Sequence, residues 1–175
     1  MSDENKRTEK LIEAYNQMML HVSEALTKAT DSTEPKLNKA IAAAEQKLEE
    51  LGELTREEID RVSQYLRRDI QDAANYFASS EVQELKDWLR FDIELIEERA
   101  MEALLSVADQ TQLDMLKFEE ELFEASEYKT GEITGPGTLV CEQCGEELHF
   151  HHTGHIPPCP KCHATTFVRK EVLES

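Results

Sequence analysis

TLVCEQCGEELHFHHTGHIPPCPKCHATTFV, residues 138–168, holds all four cysteines of the 175-residue chain. They form two Cys-x-x-Cys pairs, Cys141/Cys144 and Cys159/Cys162, with 14 residues between the pairs. A chain turning tightly between the two cysteines of a pair aims both sulfurs at one point. Two such turns brought together offer four thiolates in a tetrahedron, the geometry of a metal bound at about 2.3 Å per sulfur. β-forming runs flank these turns. Thr138-Leu139-Val140 leads into the first, Leu148-His149-Phe150-His151 runs back, and Thr165-Thr166-Phe167-Val168 follows the second. Residues 138–175 therefore read as a small antiparallel β zinc ribbon, with Leu139, Leu148, Phe150, Ile156, Phe167 and Val168 as core candidates. So small a core depends on its metal, whose binding contributes roughly 10–16 kcal/mol in comparable peptides.

The residues before the ribbon have a different texture. Positions 5–125 contain one Pro (Pro35) and one Gly (Gly52) among helix-forming Glu, Leu, Ala, Lys, Gln and Arg. Leu11, Tyr15, Met18, Val22 and Leu26 recur at helical spacing, as do Leu37, Ile41, Ala44, Leu48 and Leu51. Gly52 offers the left-handed residue that ends a helix. Thr55 with Glu58 three residues on reads as a capping box, and Leu54 with Ile59 as a hydrophobic staple around it. The restarted helix carries Ile59, Val62, Leu66, Ile70, Ala73 and Phe77, with Glu57 and Arg61 paired at i, i+4. Val82 to Val107 continue the periodicity, and whether 81–123 is one helix or two stays open.

These features predict a mainly α chain, an antiparallel helical bundle or extended coiled-coil hairpins, followed by the small C-terminal β zinc ribbon. The expected organisation is an acidic helical body over 1–127, a Gly-rich connection over 128–137 and the four-cysteine zinc ribbon over 138–175.

Charge narrows the function classes. The chain carries 37 acidic and 19 basic residues, a formal net charge of −18. The stretch 138–175 has three basic and five acidic residues, and four thiolates around Zn²⁺ add about two more negative charges. Nucleic-acid affinity rests on Lys and Arg neutralising phosphates, so this balance opposes it. No run of 18 apolar residues suggests a membrane span, and the N-terminus lacks the apolar stretch of a signal peptide. Cysteines confined to metal-spaced pairs suit a reducing compartment, so the expected location is cytoplasmic.

Gly52-Glu-Leu-Thr-Arg56 with Tyr65-Leu-Arg-Arg-Asp69, and Tyr128-Lys-Thr-Gly131-Glu-Ile-Thr-Gly135-Pro-Gly137-Thr-Leu-Val-Cys141, resemble the bacterial YbeL-type zinc-ribbon proteins. The resemblance is strongest over roughly 50–79 and 128–170. It implies a helical body, a C-terminal zinc ribbon and a cytoplasmic bacterial protein, and it implies no activity. Ribbons usually carry Gly after the last Cys of each pair. Gly145 follows that pattern and His163 departs from it, with slight backbone strain as the expected consequence.

Cys141, Cys144, Cys159 and Cys162 are the expected metal ligands, with one structural Zn²⁺ as the expected ion and iron as the alternative. Four thiolates leave no open position for water or substrate, and no catalytic set is recognisable. His149, His151, His152, His155 and His163 read as exposed strand and loop residues, and Glu132 as a group satisfying backbone where ribbon meets helix. A di-iron bundle of the rubrerythrin kind requires Glu-x-x-His pairs on its helices. The helical stretch has only His21, with Met18 three residues before it. The expected role is a non-enzymatic protein-interaction or scaffold protein that binds a protein partner or self-associates, with no small-molecule substrate. The alternative is a DksA-like regulator acting on RNA polymerase through protein contacts.

Overall fold

The computed structural model describes residues 2–28, 36–79 and 127–169. Pro35 and the stretch 81–123, expected as one helix or two, lie outside the described residues. Those that are described form three helices and a small antiparallel sheet region. The result is a mixed α and β structure that does not single out a coiled coil.

Helix α1 spans Asp3–Lys28, α2 Lys36–Leu51 and α3 Arg56–Ser79. Each buries the stripe its spacing suggests as far as the side chains are described, which leaves out Leu26, Ala73 and Phe77. Tyr15, Met18 and Val22 of α1 meet Leu37, Ile41, Ala44 and Leu48 of α2 and Ile59, Val62, Leu66 and Ile70 of α3 in one core. Full burial of each large apolar side chain contributes about 1.5–3 kcal/mol. Leu51 departs from the expected stripe, being 58% exposed at the very end of α2.

The α2–α3 turn follows the local chemistry of its residues. Gly52 adopts φ +68° and its N–H donates to the Glu49 carbonyl at 3.1 Å, closing α2. The capping box is reciprocal. Thr55 N–H donates to Glu58 Oε2 at 2.8 Å, and Glu58 N–H donates to Thr55 Oγ1 at 3.3 Å. Ile59 is buried and Leu54 packs half-buried against the same core, as a staple requires. Arg61 and Glu57 approach to 3.8 Å on the exposed face.

Six short strands follow: β1 Glu127–Lys129, β2 Ile133–Thr134, β3 Gly137–Cys141, β4 Glu147–Phe150, β5 Gly154–His155 and β6 Thr166–Arg169. One sheet has the order β1-β6-β3-β4, all antiparallel, and β2 pairs with β5 in a second. The three strands expected around the cysteines are thus β3, β4 and β6. The Gly-rich stretch before them is itself paired structure: β1 lies on β6 and β2 on β5.

The ribbon core holds Leu139, Ile156 and Phe167 as expected, with Leu148 and Phe150 packed half-buried against it. It also holds Tyr128, fully buried. Val168 is not part of it. Side chains alternate across a strand, so burial of Phe167 turns Val168 outward and places Arg169 on the inner face.

Candidate metal centre

The four cysteines sit on two turns built alike. In the first, Gly145 N–H donates to Cys141 O at 2.9 Å and Cys141 N–H donates to Glu146 O at 2.8 Å. In the second, His163 N–H donates to Cys159 O and Cys159 N–H to Ala164 O, both at 2.9 Å. The residue after the second cysteine of each pair has positive φ, +74° at Gly145 and +61° at His163. His163 is the sole non-glycine with positive φ among the described residues, where the sequence anticipates strain. The amides of Glu146 and Ala164 favour the thiolate forms of Cys144 and Cys162.

All four sulfurs lie within 4.8 Å of one another, and none is in a disulfide. Cys141 Sγ is 3.5 Å from Cys162 Sγ, and Cys144 Sγ is 3.6 Å from Cys159 Sγ. A regular tetrahedron with 2.3 Å arms has edges of about 3.8 Å, so the donor set fits a thiolate-coordinated ion. The thiols compete for negative charge. The Glu146 amide favours the Cys144 thiolate, but burial and the three neighbouring thiols push Cys144 up to about 12. Burial acts to raise Cys159, yet the amides of Cys162 and Lys161 and the adjacent thiols take it down to about 7. The Ala164 amide and the Cys144 thiol act to lower Cys162, but burial and the Cys141 and Cys159 thiols outweigh them and raise it. A divalent cation relieves this competition: it binds all four sulfurs as thiolates and offsets about two of their four negative charges.

Among the described residues no other group of three or more His, Cys, Asp and Glu gathers to hold an ion. His149, His152, His155 and His163 are exposed, whereas His151, also expected to be exposed, is half-buried. His149 Nδ1 lies 2.9 Å from Thr138 Oγ1, a cross-strand contact between β3 and β4.

A second site, unanticipated in the sequence, lies where the ribbon meets α1 and α3. Asp69 of α3 is 1% exposed. Its carboxylate accepts hydrogen bonds from Tyr15 Oη at 2.5 Å, Gly135 N–H at 2.8 Å and Thr134 Oγ1 at 3.2 Å. Arg169 from β6 lies 3.5 Å from it, while donating to Tyr128 Oη at 3.1 Å, Thr134 Oγ1 at 3.0 Å and Pro136 O at 3.3 Å. Tyr128 donates in turn to Asp72. Arg68 stacks 3.8 Å above the Tyr128 ring, pairs with Glu132 and donates to Ile133 O at 3.1 Å. Glu132 also accepts the Lys129 N–H at 3.1 Å, so it serves the backbone-satisfying role read from the sequence and anchors Arg68 as well. Burial, with the Asp69 charge second, pushes the Tyr15 hydroxyl well above its ordinary value, and burial does the same to Tyr128. Both tyrosines remain donors. Burial opposes the charge on Arg169, but Tyr128, Asp69 and Asp72 outweigh it and keep the guanidinium protonated. The arrangement holds two parts of the chain together, α1 and α3 on one side and the strands around Thr134 and Arg169 on the other.

The glycines before Cys141 have their reason here. A Cβ on Gly135 would lie 2.8 Å from Tyr15 Oη, and one on Gly137 would lie 1.9 Å from Arg169 Nη1. Two readable signs pointed to the network. Asp69 falls three residues after Leu66 on the buried stripe of α3, and Arg169 falls two after Phe167 on the inner face of a strand.

Two Cys-x-x-Cys turns clamping a small antiparallel sheet, joined to a helical body, define a ribbon-type metal-binding protein. The family model described as a zinc-ribbon containing domain matches residues 24–171, and the chain belongs to that family. The uncharacterised protein YbeL of Escherichia coli strain K12 is 35% identical over 80 residues, covering 43% of this chain and 48% of YbeL. The YbeL proteins of strains O6:H1 and O157:H7 match to the same extent. The match thus spans about half the length of these curated relatives. No solved structure matches.

Proposed function

We infer that the protein is a non-enzymatic, cytoplasmic zinc protein whose helical body and ribbon form one docking surface for a protein partner or a second copy of the chain. The observation that carries this reading is the closed donor set: four sulfurs within 4.8 Å of one another. Four thiolates complete a tetrahedral shell and leave no position for water or substrate, which a catalytic zinc keeps. Zinc is preferred over iron because the family is described by its zinc ribbon and a tetrahedron of four sulfurs satisfies a d¹⁰ ion without electronic penalty. When bound, the ion supplies a structural crosslink between the two turns. The net charge of −18 favours a partner with a basic face over a polyanion. No helix among the described residues is long and apolar enough to cross a membrane.

Elemental analysis of the purified chain tests the metal, with one zinc and no iron per chain expected. Affinity capture from cells of the source organism, combined with light scattering, tests the surface. A strictly monomeric chain that recovers no stoichiometric partner would overturn the interaction role, and a coloured iron-loaded chain would overturn the zinc assignment.

A further inference from the structure

We propose that metal occupancy of the four-cysteine site controls whether the ribbon stays docked on the helical body, with β6 as the connecting element. Phe167 of β6 pairs with Cys141 across the sheet and is fully buried in the cluster that includes Cys141 and Cys159. Two residues further, on the same face, Arg169 reaches the buried Asp69 of α3. At about 3.3 Å of rise per residue, the cysteine cluster and this latch are separated by less than about 7 Å of strand.

A second connection runs in parallel. Ile156, buried three residues before Cys159, donates its N–H to Glu132 O at 2.9 Å and accepts the Gly131 N–H at 2.9 Å. Glu132 binds Arg68 of α3, and Ile133 completes the core of the three helices.

The partners of Asp69 make this arrangement all-or-none. Thr134, Gly135 and Arg169 come from the ribbon; Tyr15 and Arg68 come from the helices. The ribbon core is too small to hold its strands without the metal crosslink. Once β6 loses its register, Asp69 loses the three ribbon partners while still enclosed. A buried carboxylate left with Tyr15 and Arg68 alone is under-satisfied and must be rehydrated, so the interface opens and the faces of α1 and α3 around Tyr15 and Asp69 meet solvent. The reverse also holds, because coupling between two sites is reciprocal: weakening the latch must weaken zinc binding.

The proposal rests on the zinc reading above, and its test separates the two. The zinc-loaded full chain is followed by hydrogen-exchange mass spectrometry before and after a strong chelator. The expected result is faster exchange in the ribbon and also in α1 near Tyr15 and α3 near Asp69, with α2 around Ile41 to Leu48 changing least. A chain that binds stoichiometric zinc, yet whose α1 and α3 do not respond when the ribbon is stripped, overturns the latch and leaves the zinc reading standing. Zinc affinity is then measured by competition with a chromogenic chelator for Asp69→Asn and for the milder Tyr128→Phe. Neither residue belongs to the four-sulfur donor set. Asp69→Asn is expected to lose affinity by about 5- to 150-fold, the usual range of coupling between sites. Tyr128→Phe is expected to fall at the lower end, and it decides the matter should Asp69→Asn fail to fold. Wild-type affinity in a folded variant overturns the proposal.

Discussion

Replacing Gly137 by alanine adds one carbon, and the structure says where that carbon must go. At φ +147° the backbone of Gly137 lies in a region used almost only by glycine, so any side chain there costs about 1–3 kcal/mol. The new Cβ would sit 1.9 Å from Arg169 Nη1 and 3.1 Å from its Cζ. Relief requires the guanidinium to retreat by roughly 1.5 Å, because ordinary contact begins near 3.4 Å. It has nowhere to go without releasing Pro136 O, Thr134 Oγ1 and Asp69. Stripping one partner from a buried charge pair costs about 3–5 kcal/mol. Together these effects reach about 4–8 kcal/mol, a large part of the 5–15 kcal/mol that holds most domains folded. Gly131→Ala is the control. It also has positive φ, +96°, but nothing lies within 4 Å of its added Cβ, so backbone strain alone is expected, about 1–3 kcal/mol. Urea unfolding of the zinc-loaded variants by far-ultraviolet circular dichroism measures both. Two variants within about 1 kcal/mol of each other would refute the reasoning, since Arg169 would then have yielded to the new carbon at no cost.

Three further outcomes follow from the described geometry. Thr55→Ala removes the cap on α3 and should cost about 1 kcal/mol, which lowers Tm by about 2–4 °C in a chain of this size; an unchanged Tm would show that the capping box carries no weight. Glu58 is held below its ordinary value chiefly by the Thr55 amide, with Arg7 at 2.7 Å adding to the effect against burial. The stabilisation it supplies is therefore fully present above the unfolded-state carboxylate value and is lost as pH falls through the lower folded-state value. A Glu58→Gln variant should accordingly unfold with a shallower acid dependence than wild type below about pH 4.5, and parallel acid curves would contradict this. At His163, with φ +61°, His163→Val should lose about 1–2 kcal/mol while His163→Gly stays near neutral, as read from thermal unfolding of the zinc-loaded protein; equal stability of the two would show that the turn relaxes.

What the sequence makes legible here is local chemistry. The Gly52–Glu58 turn is readable because each participant lies within a few residues of its partner: Thr55 and Glu58 bond to each other, and Gly52 closes onto Glu49. The cysteine site is readable because only a few residue types ligate metals, and their spacing repeats. The interface was hidden because its bonds join Tyr15, Asp69 and Arg169, residues 54 to 154 positions apart, and nothing local marks them as partners. Val168 and Arg169 show the cost of that blindness. Composition alone favours valine as the buried residue, but burial of Phe167 fixes the strand's facing, and Asp69 provides the charge that lets arginine take the inner place.

That exchange bears on what the metal is for. A ribbon tethered only by a flexible connection would need its zinc solely to fold itself. Here the strand adjoining the cysteines inserts an arginine beside a carboxylate that the helices bury, and two glycines are kept bare so that Tyr15 and Arg169 can pass. A buried ion pair seldom stabilises more than apolar residues of the same shape would, so stability alone does not explain its presence. What such a pair supplies is a single allowed docking pose and a steep penalty for partial opening. A metal crosslink acting through that pair would make the two parts behave as one rigid body when loaded, and as separable parts when the ion is removed.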